Sequence, residues 1–170
     1  MEIWDGYFED ETPAGVDLIR GQEIPKGLLH IVCEIIVRHE DGDYLLMQRD
    51  LKKETYPGLY EASAGGSVLK GETPMEGAVR ELKEETGIQA DSLTQIYRKV
   101  NRKGNAIHYG YLCQVNGEKD RIRLQKGETI NYRWMSKEKF LKFADSEEFV
   151  PSGRERLSEY LESIKKEQQI

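Results

Sequence analysis

The chain has 170 residues, of which 33% are charged and 38% hydrophobic, with a formal net charge of −6 and a sequence pI near 5.3. This length indicates one domain whose core is large enough to fold without disulfides, and the apolar content excludes a disordered chain. The acidic balance argues against bulk nucleic acid and anionic membranes as partners. A small polyanionic ligand would therefore need a local binding device such as a metal ion.

The two cysteines, Cys33 and Cys113, lie in apolar or β-like runs and do not form a C-x-x-C pair, so we predict two buried thiols. The first residues lack a basic region followed by an apolar region. No apolar stretch reaches the roughly 18 residues of a membrane span. We therefore expect a cytoplasmic protein that does not enter membranes, and both a monomer and a homodimer remain open.

The amino-terminal half reads mainly as strands. Residues 3–20 predict two short strands around a turn-rich segment, within a β extension that covers residues 1–27. Residues 28–37 predict a strand that is buried on both faces. An Asp41-Gly42 turn then leads into a strand at 44–49, and this pattern predicts a hairpin.

The clearest helix follows the small residues Ser63-Ala64-Gly65-Gly66-Ser67, which allow close approach of a backbone or a ligand. Thr73 is the predicted N-cap, Pro74 takes the first helical position, and Glu76 completes a capping box. Gly87 is placed to end the helix.

The remaining pattern predicts strands and then C-terminal helices within 136–170, which begin near Ser136 and near Ser152, the latter with a capping box to Glu155. This order of elements predicts an α+β fold in which helices pack on a mixed sheet. The predicted strands are 93–100, 106–115 and 130–135.

Three carboxylates share one face of the predicted helix. At 100° per residue, Glu84 and Glu85 lie about −60° and about +40° from Glu81. Like charges on adjacent turns repel one another, and Arg80 can neutralise only part of this charge. A solvated surface explains most Glu-Glu pairs, but clustered oxygen donors beside a glycine loop also suit Mg²⁺ or Mn²⁺ and a phosphorylated ligand.

Residues 66–88 fit the pattern G-x5-E-x7-R-E-U-x-E-E-x-G-U, where U is apolar, at every specified position. This segment resembles the Nudix box, and the strand order from residue 28 to 143 is similar to the Nudix fold. The resemblance implies one Nudix hydrolase domain over residues 1–170, an α/β/α sandwich with a mixed sheet and helices on both faces. It also implies metal-dependent hydrolysis of a diphosphate linkage in a nucleoside diphosphate derivative or a related small organic pyrophosphate.

The same resemblance implies roles for individual residues. Glu84 and Glu85 match metal-binding carboxylates, Glu81 matches a residue that binds metal or acts as the general base, and Arg80 matches the arginine that holds the glutamates. Glu72 matches a glutamate that organises the site. The implied cofactor is Mg²⁺ or Mn²⁺. Further candidates are Gly65 as a metal ligand, Glu128 as a metal ligand or as the base in place of Glu81, and Arg49, Lys53 and Gly66 as substrate-binding residues.

Two other functions stay open. The segment before the box also resembles isopentenyl-diphosphate isomerase, through Leu29-His30, the run 45–49, Lys53 and the run 57–60. Gly65, however, stands where that enzyme keeps its catalytic cysteine, which argues against isomerisation and favours a structural role for His30. A non-catalytic nucleotide-binding module is the third alternative, and an intact box argues against it. The sequence does not choose among phosphorylated substrates.

Overall fold

The computed structural model describes residues 1–167, which form nine strands, three α-helices and a short 3₁₀ turn at Lys119–Arg121. The strands are β1 (Ile3–Tyr7), β2 (Pro13–Ile19), β3 (His30–His39), β4 (Tyr44–Arg49), β5 (Tyr60–Ala62), β6 (Ala64–Ser67), β7 (Thr94–Asn101), β8 (Ala106–Val115) and β9 (Thr129–Met135). The helices are α1 (Pro74–Thr86), α2 (Lys137–Ala144) and α3 (Pro151–Lys166).

The main sheet has seven strands and is mixed. Its path runs β5-β4-β3-β8-β7, with β6 paired to β3 and β9 paired to β4. Strand β3 runs parallel to β8 along their whole length, from His30 opposite Ala106 to His39 opposite Val115, and the other pairs are antiparallel. Strands β1 and β2 form a separate two-stranded sheet, the N-terminal hairpin.

The predicted hairpin of β3 and β4 is confirmed at its turn and in its antiparallel pairing, but that pairing is short. The turn is present, since Gly42 has a φ of 96° and its N–H donates to the His39 carbonyl at 2.9 Å. The two strands then pair only at Arg38 and Tyr44. They separate because β6 takes the edge of β3, while β4 pairs with β5 and β9. This separation opens space beside β6.

Alternation along the central strands builds two cores. Ile35 and Val37 of β3 face the layer of α1, together with Ala78 and Leu82 of that helix. Ile36 lies in the opposite core, which α2 and α3 cover. Burial on both faces of β3 confirms the prediction, and the helices on both sides confirm the α/β/α sandwich with a mixed sheet.

Helix α1 begins and ends where its local signals predict. The Thr73 hydroxyl accepts the Glu76 N–H at 3.2 Å, and the Glu76 carboxylate accepts the Thr73 N–H at 2.8 Å. Pro74 takes the first turn, and Gly87 ends the helix at a φ of 76°. The helix that carries the acidic residues is therefore fixed at both ends by its own sequence.

Helix α3 corrects one prediction. The predicted capping box from Ser152 to Glu155 does not form, because Pro151 already occupies the first turn and Val150 is the N-cap, without a side-chain hydrogen bond. The proline fixes its φ before Ser152 can act as a cap. Helix α2 begins after Ser136, as predicted. The predicted helical region 136–170 extends past the described residues at positions 168–170.

Both cysteines are buried free thiols, as predicted. Within residues 1–167, no helix is both long enough and apolar enough to cross a membrane.

We expect Thr73→Ala to lower the free energy of unfolding by about 1 kcal/mol, because the Glu76 N–H loses its acceptor. Urea unfolding followed by circular dichroism measures the change. Thr73→Ser keeps a hydroxyl at the cap and serves as the control. Equal destabilisation by both substitutions would show that the methyl group, and not the capping oxygen, matters.

Candidate active site

A cleft of about 790 Å³ opens beside β6 and α1. The N-terminal hairpin, the segment before β9 and helix α3 contribute its other walls. The structure places every residue that the sequence nominates for metal, substrate or catalysis along this cleft. These residues are Arg49, Lys53, Gly65, Gly66, Arg80, Glu81, Glu84, Glu85 and Glu128.

Arg80 lies at the centre of the acidic wall. Its guanidinium donates to Glu72 through Nε and Nη2, at 2.7 and 3.0 Å, and to the Ser67 carbonyl through Nη2 at 3.0 Å. Its Nη1 donates to Glu81 at 2.7 Å and, less closely, to Glu84 at 3.3 Å. One cation thus ties the helix to the loop before it and to the end of β6.

Gly66 allows the Glu81 carboxylate to lie directly on strand β6. A Cβ atom built at Gly66 would stand 2.5 Å from the carboxyl carbon of Glu81, so no other residue fits there without moving that side chain. Burial raises the pKa of Glu81, although its bond to Arg80 opposes the change. The small residues at 63–67 therefore do allow a close approach to the backbone, as predicted. The group that approaches is the carboxylate of Glu81.

Glu85 is the most deeply buried acid of the helix, with 7% of its surface exposed. The Gly65 N–H donates to its Oε2 at 3.1 Å. Burial, and then the like charges of Glu61 and Glu81, raise the pKa of Glu85 well above its usual value. A buried carboxylate with so little compensation points to a missing positive charge.

The donor chemistry fits a divalent ion. Carboxylates of Glu81, Glu84 and Glu85 beside the backbone of β6 are the hard oxygen ligands that Mg²⁺ and Mn²⁺ prefer. The Glu81 carboxylate, which lies against Gly66, and the poorly compensated Glu85 place negative charge where such an ion would bind. Within residues 1–167, however, no three acidic, histidine or cysteine side chains already stand close enough to hold a metal, so an ion would have to draw them together.

The nominated cations are each held by an acid. The Nη1 of Arg49 donates to both oxygens of Glu61 at 3.0 and 3.1 Å, and its Nε and Nη2 donate to the Thr55 carbonyl. Lys53 is bonded to Glu128. Arg49 is therefore engaged on both edges of its guanidinium, whereas Lys53 has two further donors.

Sequence reasoning missed Glu61, because it occupies a three-residue strand that carries no motif. It also missed the buried group behind the cleft, in which the Glu34 carboxylate accepts from Tyr97 and from Arg156 of α3. The pairing of β8 with both β3 and β7, together with the docking of α3, brings these residues together. An acidic residue inside an apolar strand was the one available signal.

Cys33 and His108 also line the cleft. The Cys33 thiol lies 3.3 Å from the Gly66 carbonyl, and burial raises its pKa to about 12. Burial lowers the pKa of His108 to about 4, and its Nδ1 has no hydrogen-bond partner. His30 is buried with an unpartnered Nδ1 as well, and its ring stacks on Trp4 at 4.2 Å.

In the metal-free protein we expect Glu85→Gln to raise the melting temperature, and to raise it more at pH 8 than at pH 5. The folded-state pKa of Glu85 lies above its ordinary value of 4.5, so the folded chain binds more protons than the unfolded chain between these two values. Wild-type stability therefore falls as pH rises through this window, and glutamine removes the loss.

Thermal melting in EDTA at the two pH values measures this effect. Glu84→Gln is the matched control, because that side chain is 45% exposed on the same helix. If Glu85→Gln changed the melting temperature equally at both pH values, burial of a charge at this position would be contradicted.

Comparison with known proteins agrees with this geometry. The model of the NUDIX domain matches residues 28–155. An uncharacterised Nudix hydrolase of Listeria monocytogenes is 34% identical over 152 residues, 89% of each chain. An isopentenyl-diphosphate Delta-isomerase of Corynebacterium diphtheriae is 37% identical over 84 residues, 45% of this chain and 46% of that protein.

The solved structure of DR0079 from Deinococcus radiodurans covers 88% of this chain and 92% of its own, with a TM-score of 0.71 and 19% identity, which shows a shared fold. The family match covers most of the chain, and the Listeria relative is similar along nearly its whole length. The chain therefore belongs to the Nudix family and is a Nudix-type pyrophosphohydrolase that acts on acid anhydrides.

Proposed function

We propose that this protein hydrolyses the diphosphate linkage of a nucleoside diphosphate derivative, or of a related small organic pyrophosphate, with Mg²⁺ or Mn²⁺. The observation that carries the proposal is the buried Glu85 beside Glu61 and Glu81, an excess of negative charge in a cleft that also holds cations. Divalent cations can bridge such a cleft to a polyanion.

We assign Glu81, Glu84 and Glu85, with Glu128 and the Gly65 carbonyl, as the groups that hold the metal. The metal, when bound, supplies a Lewis acid that polarises the phosphate and lowers the pKa of a coordinated water. All five residues line one cleft. Several carboxylates at one site are also the arrangement in which one of them can act as a base.

Glu81 is the proposed general base. Arg80 occupies its Oε1, which leaves Oε2 either to hold the metal or, with the ion on the other ligands, to accept the proton of the attacking water. The raised pKa of Glu81 suits a base that works near neutral pH. The water oxygen bonds to phosphorus, the bond to the bridging oxygen breaks, and that oxygen leaves on a phosphate or a nucleotide.

Arg49, Lys53 and the Gly66 backbone are the proposed substrate contacts. Lys53 can approach a phosphate through the donors that Glu128 leaves free. Arg49 must first exchange Glu61 or the Thr55 carbonyl for a phosphate oxygen. We therefore expect Lys53 to contribute more to substrate binding than Arg49 does.

We further propose that residues 1–170 form one cytoplasmic Nudix domain that binds neither bulk nucleic acid nor membranes. The N-terminal hairpin supports this proposal, because it packs on the loop before α1 and lines the same cleft as the Nudix box. The net charge of −6 disfavours polyanionic macromolecules.

A chromatographic assay that resolves nucleotide, sugar phosphate, pyrophosphate and phosphate products, run over nucleoside di- and triphosphates, ADP-ribose, dinucleoside polyphosphates and nucleotide sugars, tests the proposal. We expect Mg²⁺-dependent release from at least one compound, with kcat lowered at least about 100-fold in Glu81→Gln and in Glu84→Gln. Glu76→Gln is the matched control on the same helix, because glutamine also completes a capping box. We expect this control to keep its activity.

Two outcomes would contradict the proposal. Metal-independent nucleotide binding with no hydrolysis would indicate a binding module. Interconversion of isopentenyl diphosphate and its allylic isomer would indicate an isomerase, and that compound belongs in the panel because Cys33 places a thiol in the cleft opposite Gly66.

A further inference from the structure

The N-terminal hairpin forms one wall of the candidate cleft. Met1, Glu2, Ile3, Trp4 and Arg20 all line it. None of these residues lies in the Nudix box or within the 28–155 segment that matches the family model. The hairpin is therefore a part of this site that the family match does not assign.

The hairpin is fixed to the rest of the fold at several points. The Lys70 N–H donates to the Ile3 carbonyl at 2.9 Å, and the Gly71 N–H donates to the Asp5 carboxylate at 2.8 Å. These bonds attach β1 to the loop that leads into α1. This wall of the cleft is thus attached to the segment that leads into the acidic helix α1.

The other end of the hairpin is attached to the main sheet. Tyr7 and Leu29 exchange backbone hydrogen bonds of 2.8 and 2.9 Å. Glu11, at the turn, accepts from Tyr109 of β8 and from Arg98 of β7. Because both ends are held, the side chains between them keep defined positions over the cleft.

Arg20 is the cation that this wall presents. Its Nη1 donates to Glu2 at 2.8 Å, and the other oxygen of Glu2 accepts the Trp4 indole N–H at 2.7 Å. The pKa of Arg20 is raised mainly by Glu2, with smaller contributions from Glu128 and Glu81. The guanidinium therefore lies near enough to the acidic wall to interact with it through space.

Exposure distinguishes Arg20 from the arginines at the base of the cleft. Its side chain is 62% exposed, against 15% for Arg49 and 23% for Arg80 and Arg156. An exposed ion pair contributes little to stability, so Arg20 can exchange Glu2 for a phosphate at small cost. When a buried arginine moves away from its carboxylate, the carboxylate keeps an uncompensated buried charge, and this raises the free energy.

We propose that Arg20 is a specificity-determining residue that binds a phosphate of the substrate beyond the diphosphate held at α1. It would favour substrates with three or more phosphates over those with two. This inference rests on the proposed function, because it takes the acids of α1 as the place where the diphosphate binds. An arginine forms bidentate, charge-assisted hydrogen bonds to phosphate. A substrate with a third phosphate could make this contact, whereas a substrate with two phosphates, both held at α1, could not.

Isothermal titration calorimetry with inorganic triphosphate and inorganic pyrophosphate, each with Mg²⁺, tests the inference. We expect wild type to bind triphosphate about tenfold more tightly, and Arg20→Ala to remove that preference while it leaves pyrophosphate affinity unchanged. Arg20→Lys should restore part of the preference, because it keeps the charge but not the bidentate geometry.

Arg102→Ala is the matched control, since Arg102 is 73% exposed and also pairs with the hairpin, through Glu9, but does not line the cleft. We expect this variant to keep the preference. Loss of triphosphate affinity in both variants would indicate a general effect of charge. An unchanged preference in Arg20→Ala, equal weakening of both probes, or no preference in wild type would each overturn the inference.

Fluorescence gives a second readout. The protein has two tryptophans, so Trp134→Phe leaves Trp4 as the only tryptophan, which can be excited selectively over the tyrosines. Triphosphate should shift Trp4 emission in this background, because Glu2 links the indole to Arg20, and the added Arg20→Ala change should abolish the shift. If hydrolysis fails across the substrate panel while this selectivity holds, the proposed function fails and the subsite stands.

Discussion

The cleft depends on keeping several carboxylates close together although they repel one another. Arg80 provides most of the compensation, since one guanidinium binds Glu72, Glu81, Glu84 and the Ser67 carbonyl. The planar guanidinium makes five hydrogen bonds here, to three acids and one carbonyl, whereas a lysine has only three donors. Arg80 forms no hydrogen bond to Glu85, so the negative charge there is poorly compensated. Burial and the neighbouring carboxylates raise the pKa of Glu85. The hydrogen bonds and the charge of this one side chain thus hold together the helix, the loop before it and strand β6.

The parts of this protein that could be predicted from sequence are those that depend on interactions between residues close together in the chain. The signals of Thr73, Glu76 and Gly87 lie within one helix and its flanks, and the helix begins and ends where they place it. The spacing of the Nudix box fixes which acids share a face, because helical geometry depends on the chain alone. The family and the α/β/α fold follow from that box and from the order of the strands.

What could not be predicted depends on pairing between distant segments. The turn at Gly42 predicts a hairpin, yet β3 pairs with β4 only next to that turn and pairs mainly with β6 and β8, which no local pattern reveals. Ion pairs follow the same rule: Glu61 and Glu128 lie 12 and 75 residues from Arg49 and Lys53. The capping box of α3 failed for a different reason, because Pro151 imposed a helical φ one residue before the expected cap. Two local signals, the proline and the serine cap, thus predicted different helix starts, and the proline decided the start.

Gly110 of β8 has no side chain, and the ring of Tyr97 occupies the space that a side chain would need. A Cβ atom built at Gly110 would lie 2.0 Å from Cε1 of Tyr97. Tyr97, which packs over Gly110, donates to Glu34, and Glu34 also accepts a hydrogen bond from Arg156 of α3. A larger side chain at Gly110 would therefore displace Tyr97 from the group that attaches the C-terminal helix at the cleft. In a mutational scan, such a glycine would behave like a functional residue although it touches no ligand. Intolerance to substitution at this position would then report on assembly of the scaffold and not on the reaction.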